Sequence, residues 1–244
     1  VGFTYATALG KVAKEFPKVQ WGIVDDSSVT APNVQSIVFK EEEGSYLVGL
    51  AAALTTKTGK VGFIGGVNTP LIAKFEAGFI AGAKAINPKI QIQSTYISNF
   101  PDFSGFNDPA KGYEAAKGMY QNGADVVYAA AGGTGTGMHK AASELKKWSI
   151  GVDADEATYP AHAAYKSTIL TSMLKRVDLG TRAFVRSALA GKKTAGVKVW
   201  GYKQGGVGYT TTGGYLKGIT SVINNYAKKI STGEVKVPTD PKKA

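Results

Sequence analysis

Cysteine is absent from the 244 residues. That absence excludes disulfides, thiolate nucleophiles and cysteine-bound zinc, while leaving the compartment open. Histidine is nearly as scarce: His139 and His162 are the only two, with no ligand-like spacing between them, which argues against a histidine-rich metal site. No apolar run approaches the roughly 18 residues a membrane span needs; the longest, Tyr46 to Leu54, is far shorter. The chain opens on Val1-Gly2-Phe3 without a basic region or an apolar stretch behind it. A targeting segment is therefore expected to have been removed or to lie upstream. There is no Gly-x-Ser-x-Gly elbow, and neither histidine has a serine or carboxylate beside it in a recognisable frame, so nucleophilic catalysis is unmotivated.

What is present belongs to an ordinary globular protein: 43% hydrophobic and 19% charged residues, with length enough for one large domain or two smaller lobes. The net charge is +11. Its lysines come in scattered pairs (Lys146-Lys147, Lys192-Lys193, Lys228-Lys229, Lys242-Lys243), many near expected helix C-termini, where a cation meets the helix dipole favourably. A nucleic-acid binder gathers its basic residues on one element with stacking aromatics between them. The pattern here predicts instead a solvated basic surface, suited to an anionic cell envelope, and no nucleic-acid partner.

Strand and helix signals alternate, which predicts an α/β protein with parallel sheets. Strands are expected at 19–25, 34–40, 60–66, 90–98, 124–131, 149–152, 167–173 and 197–202. Helices are expected at 41–56, from Pro70 to about Ile86, from Pro109 to Gln121, from the Gly132–Gly137 turn to Lys147, at 176–190 and at 215–231. Crossings near Thr55–Gly59, Ala163–Ser167 and Gly191–Gly196 would make two lobes. The first would comprise residues 1–57 and 167–191, the second 58–166 and 192–233, with 234–244 a polar tail. On that division the first lobe lacks an opening βαβ unit.

In open parallel sheets ligands gather beyond the carboxyl ends of the strands. Gly132 to Gly137 (GGTGTG) follows a strand and opens a helix, so Gly132 and Gly133 are candidates to offer backbone N–H groups to a polar ligand, or simply to form a tight turn. The segment is no dinucleotide fingerprint, which would need a glycine at Met138. Nor is it a P-loop, since Met138-His139 stands where Lys-Ser/Thr is required. Asp153, at a strand end, suits two vicinal sugar hydroxyls; it would equally serve as a helix cap, and a metal site with Asp155 and Glu156 lacks the rest of a coordination shell. Asp25 and Asp26 read similarly. Lys175 would bond a ligand oxygen or pair with Asp153. Among Phe3, Phe39, Phe75, Phe106 and Tyr128, the last lies nearest the glycine turn and is the expected stacking platform.

At these residues the sequence resembles the basic membrane protein family of substrate-binding lipoproteins, which includes purine-nucleoside receptors of bacterial ABC importers. The matching pieces include VGFTYATAL (Val1–Leu9), WGIVDD (Trp21–Asp26), PNVQSIVFKEEEGSYLVGLAAAL (Pro32–Leu54), KVGFIGG (Lys60–Gly66), PLIAKFEAGFIAGAKAINP (Pro70–Pro88), FNDPAKG (Phe106–Gly112), GADVVYAAAGGTGTG (Gly123–Gly137), IGVDAD (Ile150–Asp155) and LTSMLKRVD (Leu170–Asp178), in the family's order. The resemblance implies a two-lobed periplasmic-binding-protein type I fold with three inter-lobe crossings and no catalysis, cofactor or metal. It implies an extracytoplasmic location, lipid-anchored through a preceding segment or periplasmic, with a transporter permease as partner and a nucleoside as ligand. By position, Asp153 would bind ribose hydroxyls, Lys175 the sugar side, Gly132-Gly133 the nucleoside through backbone, Asp26 or Asp25 the base or sugar, and Tyr128 one face of the base. Two features depart from the pattern: the family's Asp-Lys-Ser-Phe-Asn-like opening loop is not among these residues, and Asn68-Thr69 replaces an aspartate-containing turn. Competing readings are a ligand-sensing module of a regulator, capture of another solute such as a sugar, and an enzyme on a related fold.

Overall fold

The computed structural model describes residues 1–244. In chain order its main elements are α1 (Ala6–Glu15), β1 (Trp21–Val24), β2 (Val34–Phe39), α2 (Glu41–Thr55), β3 (Lys60–Asn68), α3 (Pro70–Ile86), β4 (Gln91–Asn99) and α4 (Pro109–Gln121). There follow β5 (Val126–Ala130), α5 (Gly135–Leu145), β6 (Trp148–Gly151), β7 (Ile169–Lys175), α6 (Val177–Leu189), β8 (Gly196–Trp200), β9 (Val207–Tyr209) and α7 (Thr220–Thr232). They divide into two compact units. Val1–Lys40 with Arg176–Val207 makes the first, and Glu41–Lys175 with Gly208–Ala244 the second.

The first unit is built on a three-stranded parallel sheet ordered β1-β2-β8. Leu9 and Ala13 of α1 pack with Ile23 and Val34, all buried. The Asn33 side-chain amide closes this corner by donating to the carbonyls of Ala13 (3.0 Å) and Val19 (2.9 Å), which satisfies a helix-end acceptor that would otherwise be orphaned.

The second unit carries a six-stranded sheet ordered β4-β3-β5-β6-β7-β9, in which the pairs from β4 through β7 are parallel. Both prolines expected to open helices do so. Thr69 caps α3 by accepting from the Ile72 N–H (3.3 Å), and Asp108 caps α4 by accepting from the Lys111 N–H (2.9 Å); each leaves proline at the position where a missing N–H costs nothing. Helices α2 and α3 lie unusually close. A Cβ on Gly82 would come 2.1 Å from the Tyr46 carbonyl oxygen, and one on Gly78 2.2 Å from that of Glu42. Phe63, Phe79 and Tyr128 fill the space between these helices and the sheet, each burial contributing about 1.5–3 kcal/mol.

The division departs from the boundaries expected from sequence. Helix α2 belongs to the second unit because it packs on α3, and β7 belongs there because it pairs with β6. Strand β8 belongs to the first unit because it pairs with β2. The chain still passes between units three times, at 40/41, 175/176 and 207/208. Residues 241–243 of the expected tail form a short turn, and the Ala244 carbonyl accepts from Lys84 of α3 (2.8 Å). No helix is long and apolar enough to cross a membrane.

Candidate functional site

Three neighbouring strands of the second unit, β5, β6 and β7, point their carboxyl ends the same way. Their first residues beyond the sheet are the ones the sequence singles out. β5 runs through Ala131 into Gly132-Gly133, β6 runs through Val152 into Asp153, and β7 ends on Lys175 itself.

Asp153 adopts a left-handed backbone, φ +65°, uncommon outside glycine but tolerated best by Asp and Asn. Its carbonyl accepts from the Lys175 N–H (2.9 Å), and Ala154 N–H donates to Val152 (2.8 Å). The carboxylate is not used as a helix cap: Asp155 occupies the cap position of the short turn beginning at Glu156. It stands half-exposed, 3.6 Å from the Lys175 ammonium. Lys175, only 6% exposed at the side chain, passes over the Phe75 ring at 5.5 Å from its centroid. A lysine buried this far needs compensating charge and π contact. The pair thus places an acceptor and a donor side by side at one sheet edge.

Gly132 is left-handed, φ +55°, and a Cβ there would approach the Phe106 carbonyl to 3.0 Å. Glycine is required at that position on both counts. The turn feeds α5 (Gly135–Leu145), whose N-terminus is the positive end of the helix dipole. Phe106, partly buried and stacked with Phe103 at 6.5 Å and 16°, supplies an aromatic face beside this turn.

Tyr128 is not available as a platform. It is fully buried, its ring 5.6 Å from Phe63 and 5.4 Å from Phe79, with its hydroxyl 3.2 Å from Ser45 Oγ. Burial drives its phenol well above the ordinary tyrosine range. It is a core residue of the second unit. Asp25 and Asp26 lie at the carboxyl end of β1 in the first unit. Asp25 is left-handed too, φ +65°, with its N–H donated to Ile37 (3.0 Å). Asp26 closes a local turn by accepting from the Ser28 N–H (2.9 Å) and hydroxyl (2.8 Å).

One group escapes the sequence reading. His139 and His162, distant in sequence, come together with ring centroids 4.9 Å apart, and Glu156 lies 2.5 Å from His139. Their donor atoms fall within 4.8 Å of one another, and each is bonded inside the protein. Burial, then the neighbouring His139, holds the His162 imidazole below its ordinary range, and Glu156 opposes the shift. The available signal was His139 on the inner face of α5, between apolar Met138 and Ala142.

The family description ABC transporter substrate-binding protein PnrA-like matches residues 1–241. The chain belongs to the Bmp family. This Bmp-family protein is 41% identical to the CD4+ T-cell-stimulating antigen of Listeria monocytogenes, over 99% of this chain and 70% of that one. It is 36% identical to the ABC transporter nucleoside-binding protein BmpA of Lactococcus lactis, over 98% of this chain and 70% of that one. The crystal structure of an ABC transporter solute-binding protein from Aeropyrum pernix superposes with a TM-score of 0.81 at 27% identity, covering 98% of this chain and 76% of that one. The fold is that of the type I periplasmic-binding proteins. As a member of an ABC substrate-binding family, the protein binds a small solute outside the cytoplasm for a transporter and is not an enzyme.

Proposed function

We propose that the solute is a nucleoside, and a purine nucleoside in particular. The observation that carries this reading is the Asp153–Lys175 pair at adjacent strand ends. A carboxylate that accepts two hydrogen bonds at once matches the vicinal hydroxyls of ribose, and the ammonium beside it donates to a sugar oxygen. A relative described as nucleoside-binding, at 36% identity, supports the same choice. In this reading Gly132-Gly133 offers backbone N–H groups at the positive end of α5, and Phe106 gives a flat apolar face for the base. Asp25 and Asp26 are assigned acceptor chemistry within their own unit, for N–H or O–H groups of the ligand. Delivery to a membrane permease and tethering by a lipid-modified segment belong to the same proposal, supported by the resemblance to substrate-binding lipoproteins.

Calorimetry with guanosine tests it. Hydrogen bonds to a charged group contribute about 1.5–3 kcal/mol each, so losing two in Asp153→Ala should weaken binding by about 100-fold or more. Lys175→Met should weaken it less, since it removes one donor and keeps the packing on Phe75. Unchanged guanosine affinity in Asp153→Ala removes the carboxylate from the site. A different solute retained by the freshly purified protein in native mass spectrometry would overturn the choice of nucleoside.

A further inference from the structure

Beneath the three strand ends runs a buried polar chain whose proton positions follow from its partners. The Ser149 hydroxyl donates to the Thr168 carbonyl (3.1 Å). Its oxygen therefore accepts from His139, which places the proton of that 2.8 Å contact on Nδ1. The other ring nitrogen, Nε2, meets Glu156 Oε2 at 2.5 Å, a separation that one proton between the two groups completes. The Glu156 carbonyl accepts from His162 Nδ1 (3.2 Å), which leaves His162 Nε2 to accept from the Thr136 hydroxyl (3.1 Å). The Glu156 N–H donates to Ser172 Oγ (3.2 Å).

The members of this chain stand at set places. Thr136 and His139 lie in the first turns of α5, directly after Gly132-Gly133. Glu156 follows Asp153 by three residues, and Ser172 precedes Lys175 by three. The segments that carry Asp153, Lys175 and Gly132-Gly133 are thus each bonded to Glu156 or to its imidazole partners. Gly151 leaves the room for this: a Cβ there would come 2.5 Å from Glu156 Oε2 and 2.7 Å from Ser172 Oγ. Packing alone would be served as well by apolar residues, because replacing a buried polar or ionic pair by apolar groups of similar volume is often neutral or stabilising.

We propose that Glu156 and His139 are positioning residues, which hold the Asp153 loop and the Gly132-Gly133 turn in the geometry that meets the ligand. The inference rests on the reading of Asp153 as a ligand-binding carboxylate. A bond network under a binding group fixes its rotamer and backbone before the ligand arrives, so less ordering is charged to binding.

Guanosine calorimetry and amide hydrogen exchange on the full chain test it. Glu156→Ala should weaken guanosine on the order of tenfold or more and speed exchange in residues 132–138 and 151–158, with residues 61–67 of β3 as protected as in the parent. Glu156→Gln, whose amide N–H can donate to a neutral His139 Nε2, should restore both readouts to within a few-fold. Gly151→Ala presses a methyl group on the same carboxylate without removing any polar atom, and should reproduce the alanine effect should Glu156→Ala fail to fold. Unchanged exchange over 151–158 in both Glu156→Ala and Gly151→Ala overturns the proposal, as does a Glu156→Gln protein damaged as badly as Glu156→Ala. A parent protein that ignores guanosine defeats the nucleoside reading instead, and the exchange comparison still decides whether Glu156 holds the loop.

Discussion

Asp25 and Asp153 share an uncommon backbone conformation. Each sits just past a parallel strand with φ +65°, a region that costs an L-residue roughly 1–2 kcal/mol, less for aspartate. Strain retained at a strand end, where ligands collect, is what a binding role would preserve. The trade can be measured at Asp153. Glycine there relieves the strain and deletes the carboxylate, whereas alanine deletes the carboxylate and keeps the strain. Urea unfolding should find Asp153→Gly more stable than Asp153→Ala by about 1 kcal/mol, with both insensitive to guanosine. The reverse order of stability would mean the loop relaxes out of the left-handed region and carries no stored cost. Which residues stand at strand ends was legible in the sequence, because strand and turn signals alternate clearly there. Which way a side chain points was not. ADVVYAAA is apolar throughout, so no alternation distinguishes a core residue from one at the site, and Tyr128 went to the core.

Elements were readable from their punctuation. Pro70, Pro109 and Gly123 mark helix ends where the structure has them, and the strands fall within a few residues of expectation. The exceptions have physical reasons. α1 carries a glycine at its centre, Gly10, which weakens its local signal, and β9 spans only Val207–Tyr209, too short to show a period. Membership of a unit is a different matter, since it depends on pairings between residues far apart in the chain. That α2 belongs with α3 follows from backbone contact at Gly78 and Gly82, which no local pattern displays. Gly82→Ala should therefore be costly. Its methyl would meet the Tyr46 carbonyl at 2.1 Å, and forcing the helices apart is expected to cost about 1–3 kcal/mol or more. Gly118→Ala in α4, where nothing lies within 4 Å of the added carbon, should instead stabilise by roughly 0.5–1 kcal/mol. Thermal unfolding of the two variants beside the parent checks the contrast. Equal melting temperatures would show that the close approach of α2 and α3 is not maintained in solution.

For the whole molecule, three passages of the chain between units mean that neither unit is a continuous stretch of sequence. Each is nevertheless assembled around its own sheet, so heating need not produce a single cooperative transition. Ligand linkage can show which unit holds the solute. A ligand at one hundred times its Kd stabilises the folded state by about 2.7 kcal/mol, a rise of about 5–10 °C for a body of this size. Asp153, Lys175, Gly132 and Gly133 all belong to the second unit. Scanning calorimetry with guanosine should therefore raise the transition belonging to that unit, and Asp153→Ala should abolish the rise. Gly82→Ala, which lowers the same transition without touching the strand ends, identifies it independently. A rise confined to the transition that Gly82→Ala leaves alone would assign the ligand to the carboxylates of the first unit, Asp25 and Asp26. In that event the Asp153–Lys175 pair would be an internal ion pair of the second unit.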